Sequence, residues 1–212
     1  RSFIPGLLSG IVGILMTGDK AETTVENLFV AGSSASSTGS SGSKAMVWGL
    51  IVGDHMRSLT PEINSPVFDG EQLKHIEAER QRVLSPLGSK GIVDPLELED
   101  YVRNINMNYI NIRKTEAKLK RAIALFKIAR EKAVPSLTAD NPHNLVHALE
   151  VQDIIDLSEI HARASLMRTE SRMIPGHYRV DYPEQDDDNW ANKILTAQYV
   201  NGETAYKVEE TV

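Results

Sequence analysis

Residues Asn27 to Met56 read NLFVAG, then SSASSTGSSGSK, then AMVWGLIVGDHM. The first piece is a short apolar run ending in Gly32, which predicts a buried strand. The second, Ser33 to Ser43, is a Gly/Ser loop, and Ala45 to Met56 carries an apolar helix pattern. Strand, glycine-rich loop, then helix is the layout by which α/β proteins turn backbone amides toward an anion or cofactor. A flexible Gly/Ser linker has the same composition. A linker is not normally enclosed between a buried strand and a buried helix, so the cofactor loop is the favoured reading.

Upstream, Phe3 to Met16 (FIPGLLSGIVGILM) is the most apolar run of the chain. It falls short of the roughly 20 residues a membrane helix needs. Pro5, Gly6, Gly10 and Gly13 suit strands and turns better than a helix. Arg1 followed by this run has the form of a signal peptide, but no small-x-small cleavage site follows it. A pair of buried strands from a sheet that continues upstream is the expectation.

The 212 residues carry 23 Lys+Arg against 29 Asp+Glu, a formal net charge of −6. Such a balance gives no general attraction for nucleic acid or for anionic membranes. With no cysteine there is no disulfide framework, thiolate metal site, Cys-ligated iron–sulfur cluster or Cys nucleophile. A reducing compartment fits, and a cytoplasmic location is expected.

Residues 58 to 170 hold most of the helix signal. Leu73, Ile76 and Val83 recur at helical spacing from Asp69 or Gly70 to Leu84, and Pro86 and Gly88 end that pattern. Asp94-Pro95 is an N-cap with proline at the first helical position, followed by Leu96, Leu98, Tyr101, Val102 and Ile105. Thr115 to Val134 has Leu119, Ala122, Ile123, Phe126 and Ala129 on one face. Asn141-Pro142 opens a long helix through Leu145, Leu149, Ile154, Leu157, Ile160 and Leu166. Short loops between these helices predict an antiparallel bundle. Residues 171 to 212 are polar and end in two alternating runs, Lys193 to Val200 and Thr204 to Val208, around the hairpin turn signal Asn201-Gly202.

Most motif-based chemistries fail on their spacing. His143 and His147 are four apart, but Asn144 stands where a zinc protease has glutamate, and no third ligand follows. Asp186-Asp187-Asp188 lacks the spaced oxygens and turn glycine of a calcium loop, so helix capping or ion pairing is expected of it. No metal site is expected, and His161 reads as a helix-packing residue. Gly39 to Lys44 misses the P-loop register, and the serines of 33–43 lack a G-x-S-x-G elbow. Arg168, Arg172 and Arg179 lie among Glu170, His177 and Asp181; such a cluster either binds an anion or locks a loop by ion pairs, and the structural role is favoured.

Two segments together resemble one family. Lys20-Ala-Glu-Thr-Thr-Val-Glu-Asn-Leu-Phe-Val-Ala-Gly32 is similar to the late FAD-contacting strand of the fumarate reductase and succinate dehydrogenase flavoproteins. Glu170-Ser-Arg-Met-Ile-Pro-Gly-His-Tyr-Arg-Val-Asp-Tyr-Pro-Glu-Gln-Asp-Asp-Asp-Asn-Trp190 resembles the segment after that family's C-terminal helices, and its Pro-Gly-His-Tyr-Arg resembles the adenylylsulfate reductase branch. The resemblance implies an α+β fold: a C-terminal remnant of an FAD-binding α/β domain (1–57), an antiparallel helical domain (58–170) and a loop with a terminal β-hairpin (171–212).

It further implies an FAD cofactor approached by Gly32, Ser33, Ser41, Gly42, Ser43, Lys44 and Ala45, with the helix 45–56 burying behind them. Implied partners are the remainder of the flavoprotein, in the same or a separate chain, and an iron–sulfur electron-transfer subunit. Ser33 stands where the family carries an acid, and residues 33–43 hold neither arginine nor histidine. No substrate and no catalytic residue is therefore assigned. The sequence also lacks a G-x-G-x-x-G fingerprint. The alternative is a non-catalytic helical module that docks an electron-transfer or enzyme subunit.

Overall fold

The helices begin where a side chain can take up the first unpaired backbone N–H groups. In the computed structural model, which describes residues 13–35, 42–59, 67–173, 176–200 and 203–210, Asp69 caps α2 (Gly70–Leu84) with a reciprocal capping box to Gln72. Asp94 caps α3 (Pro95–Ile105) and Asn141 caps α5 (Pro142–Met167), each followed by proline at the first helical position. Thr115 caps α4 (Glu116–Ile128) through a hydrogen bond from the Lys118 N–H. These starts agree with the sequence reading. The two-residue strand β1 (Arg113–Lys114) directly precedes α4.

The fold is α+β. The chain divides into two units, Arg1–Val67 and Phe68–Val212. In the first, the segment around Asn27 to Gly32 forms a single antiparallel bridge, Glu22 to Phe29, where the sequence predicts a strand. Asn27 sits at φ 62 and Ala21 at φ 67, so left-handed residues interrupt the extended run on both sides. A second bridge, parallel, joins Ile14 to Ala35. The predicted strands of Phe3 to Met16 lie largely outside the described residues. The helix α1 (Gly42–Leu59) has no buried residue, against the expectation that its apolar face is covered. Met46 and Leu50 are 73% and 70% exposed, because no described element supplies an apolar layer against them.

In the second unit, α3, α4 and α5 pack into a bundle around Leu98, Val102, Ile105, Leu119, Ala122, Phe126, Val151 and Ile155. The core face of α5 is Ala148, Val151, Ile155, Ser158, Ala162 and Ser165. It is offset from the leucine pattern of the sequence, and Leu157 is exposed. Small residues let α5 lie close to both neighbours, which decides its rotation over its leucines. Residues 106–110 and 129–133 widen into π turns at the ends of α3 and α4. The loop before α3 runs beside the loop before α5, with Gly91 against the Ser136 carbonyl, where a Cβ atom would come within 2.2 Å.

Beyond α5, β2 (Tyr178–Arg179) pairs in parallel with β1, and the short helix α6 (Asp187–Trp190) leads into an antiparallel hairpin of β3 (Lys193–Val200) and β4 (Glu203–Glu210). Its predicted Asn201-Gly202 turn lies outside the described residues. No helix of the described residues is long and apolar enough to cross a membrane.

Phe126 is fully buried at the centre of this core. Phe126→Ala is expected to destabilise the protein by about 3–5 kcal/mol, read as a lower midpoint in urea unfolding with little change in slope.

Candidate functional site

The N-terminal candidate is built on the Ala21-Glu22-Thr23 segment, whose Glu22 bridges to Phe29. The Glu22 carboxylate accepts a hydrogen bond from the Lys20 N–H at 3.0 Å and approaches His55 Nε2 at 3.5 Å. The Phe29 ring meets the His55 ring edge-on with centroids 5.4 Å apart. Glu22 and Phe29 thus hold α1 from two neighbouring points.

The chain then turns sharply at Gly32, with φ +73, in the 3₁₀ turn Gly32–Ser34. A Cβ atom at Gly32 would meet the Ala45 Cβ at 3.3 Å. Only glycine combines this backbone with so close an approach to α1. Gly42, Ser43, Lys44 and Ala45 form the first turn of α1, which contains no acidic residue. Ser41 lies outside the described residues, and Ser33 is placed by its backbone within the 3₁₀ turn. Gly32 and Ala45 are therefore brought together as a pair, and among the described residues nothing within 4 Å would meet a Cβ at Gly42.

The C-terminal cluster is a lock. Glu170 is completely buried. It accepts from Arg168 Nε at 2.7 Å, from Arg172 Nε and Nη2 at 2.8 and 2.9 Å, and from the Asp186 N–H at 3.0 Å. Burial alone would raise its pKa; the hydrogen bonds from Arg172, Asp186 and Arg168 outweigh that and hold it below the usual carboxylate range.

Arg179, 1% exposed, donates to the carbonyls of Ser165, Leu166 and Arg168 at 2.6, 3.2 and 3.2 Å, which end α5. Its other edge pairs with Asp181 at 2.9 Å, and Asp181 accepts from the Glu116 N–H at 2.7 Å, the first residue of α4. The arginine hydrogen bond keeps the Asp181 carboxyl below its ordinary range. Asp186 caps α6 and Asp187 pairs with Arg172, the capping and pairing roles expected of the Asp triplet.

His143 and His147 stack edge to face with Nε2 atoms 3.3 Å apart. Among the described residues no group of three His, Cys, Asp or Glu side chains is placed to hold a metal ion. Two features escaped the sequence. Lys114 is 2% exposed, yet it sits in a polar Arg-Lys-Thr run with no apolar periodicity to announce burial. The β1–β2 pairing joins residues 65 positions apart through two residues each, too short to leave a strand pattern.

The lock from Glu170 to Trp190 coincides with the stretch that carries the family resemblance. The family described as "Fumarate reductase flavoprotein C-term" matches residues 99–211. The chain belongs to this family. The fumarate reductase flavoprotein subunit of Helicobacter pylori is 26% identical over 198 residues, covering 88% of this chain and 28% of the relative. The chain thus spans well under half the length of that relative. Its fold is shared with an E. coli quinol fumarate reductase (TM-score 0.77, 19% identity, 94% of this chain and 36% of that one). It is also shared with adenylylsulfate reductase from Archaeoglobus fulgidus (TM-score 0.71, 20% identity, 84% of this chain and 32% of that one).

In this flavoprotein C-terminal fold the lock sets the acid limit of stability. Burial, followed by the Lys114 charge, pushes His177 down from 6.5 to about 4. Between those values the unfolded chain takes up a proton that native His177 refuses, so stability falls as pH drops through that window. The depressed carboxyls of Glu170 and Asp181 extend the loss as pH falls below the ordinary carboxylate range. Glu170→Gln is expected to lower stability by roughly 1.5–3 kcal/mol at neutral pH and to flatten the acid limb. Thermal unfolding across pH measures both.

Proposed function

We propose that this chain is the C-terminal portion of an FAD-dependent oxidoreductase and that its Gly32–Ala45 region completes the flavin pocket. The observation that carries the reading is the left-handed Gly32 pressed against Ala45, which fastens the Ala-Gly turn to the first turn of α1. Membership of the flavoprotein family supports it, as does the uncovered apolar side of α1.

Gly32, Ser33, Ser41 and Gly42 offer backbone without bulk, and Ser43, Lys44 and Ala45 direct their N–H groups out of the N-terminus of α1. That end of a helix stabilises negative charge, and the acid-free first turn does not oppose it. When bound, FAD supplies the hydride and electron transfer. The residues of this chain orient one edge of the flavin and keep bulk away from it. The remainder of the flavoprotein supplies the dinucleotide site, and an iron–sulfur subunit is the electron-transfer partner in this reading. The substrate stays unassigned, because residues 33–43 carry no arginine, histidine or acid.

Gly42→Val isolates the flavin contact, since among the described residues a Cβ there meets no atom beyond its own helix within 4 Å. In the natively assembled protein the variant is expected to lose most of its flavin absorbance while its unfolding midpoint stays within about 0.5 kcal/mol of the parent. Full flavin content in Gly42→Val removes the loop assignment. A native assembly with no flavin at all favours the helical docking module instead.

A further inference from the structure

His143 and His147 stand one turn apart at the start of α5, on a frame that leaves the backbone little freedom. Pro142 is the first helical residue, and the Asn141 side chain accepts from the Asn144 N–H at 3.0 Å. Asp140 Oδ1 in turn accepts from the side-chain amides of Asn141 and Asn144, each at 2.6 Å. Residues four apart share a helix face. Here the two imidazoles meet edge to face with centroids 4.7 Å apart and Nε2 atoms 3.3 Å apart.

The separation of those nitrogens fits a pair of metal ligands better than a hydrogen bond. Zinc–nitrogen bonds of about 2.0–2.1 Å at tetrahedral angles put two ligating nitrogens about 3.3–3.4 Å apart. Adjacent ligands at the same bond length on an octahedral ion are about 2.9 Å apart, and an ordinary N–H hydrogen bond to oxygen spans about 2.7–3.2 Å. The other nitrogen of His147 supports the same reading. The side chain is 26% exposed, yet Nδ1 is buried and among the described residues has no hydrogen-bond partner. Glu150 Oε2 lies 3.3 Å from it, near enough for an ion pair but out of line for a hydrogen bond. A cation on Nε2 fixes the ring proton on Nδ1, and a carboxylate beside Nδ1 is the usual receiver of that proton's hydrogen bond at metal-bound histidines. Asp140 and Glu150 also offset the positive end of α5, the local field that opposes a cation.

We infer that His143 and His147 bind one zinc-class divalent cation through their Nε2 atoms, with water in the remaining positions and Glu150 as a positioning residue. Among the described residues no third His, Cys, Asp or Glu completes a ligand set with them, so the site is open and its metal exchangeable. Asn144 gives its side-chain amide to Asp140 and supplies no general base, so the site binds metal without the hydrolytic chemistry of a zinc protease. It lies wholly within the Phe68–Val212 unit and does not rest on the flavin reading.

The test titrates the full chain with zinc chloride, read by calorimetry and by the ring-nitrogen NMR signals of the histidines. The His143 and His147 Nε2 signals are expected to move together, saturating at one zinc per pair, with the His147 proton fixed on Nδ1. His143→Ala, at an exposed position, is expected to weaken this binding tenfold or more. Glu150→Gln keeps both ligands and is expected to weaken it roughly tenfold. Rings that do not respond to zinc, or that respond at different zinc concentrations, overturn the proposal, and that result needs no variant to fold. Equal zinc affinity in the parent and in His143→Ala overturns it as well. Unchanged affinity in Glu150→Gln overturns the positioning role of Glu150.

Discussion

The guanidinium of Arg179 joins two helix ends that carry opposite partial charges. It donates to the carbonyls that end α5 and pairs with both oxygens of Asp181, whose Oδ2 also accepts from the first amide of α4. A cation at a helix C-terminus and an anion at a helix N-terminus are each favourable, and here the two are one hydrogen-bonded ion pair. Because Arg179 is nearly inaccessible, the arrangement is little screened by salt. The direction in which α5 hands the chain to the C-terminal loop, and the seating of that loop against α4, both depend on it.

Glu170 performs the neighbouring task. One buried carboxylate collects Arg168, Arg172 and the Asp186 amide, and Arg168 extends over the Trp190 ring at 5.0 Å. The loop from Glu170 to Trp190 is held by these polar contacts, with little apolar burial of its own. Such a loop is specific in geometry because each donor has one acceptor in reach. Its stability is conditional on pH for the same reason.

The N-terminal unit follows a different economy of contacts. Backbone bridges at Glu22–Phe29 and Ile14–Ala35 and the glycine turn at Gly32 set its course, with Ala21, Val30 and Ala35 buried. Its helix α1 leaves Met46, Val47 and Leu50 exposed. A helix with that composition is built to be covered, which agrees with a chain spanning well under half the length of the relative it matches.

Helix starts were legible because capping is local: Asp69, Asp94, Thr115 and Asn141 act on amides two or three residues away. The α3 and α4 core positions followed from period alone, as with Leu98, Val102, Leu119 and Phe126. The hairpin strands were legible from their alternation. The candidate flavin residues were legible as a Gly/Ser turn between an apolar run and a helix, while the requirement for glycine at position 32 came from its contact with Ala45. The rotation of α5 was not legible, because the close approach of α3 and α4 selects its small residues over its leucines. The burial of Glu170, Arg179 and Lys114 was equally hidden. Their environment consists of groups brought from positions such as Glu116, Ser165 and Asp186, and no local pattern encodes it. Sequence by itself determined where elements begin and which family motif the chain carries, since both reside in neighbouring residues. Tertiary structure alone decided which charges are paired, since pairing is a property of distance in space.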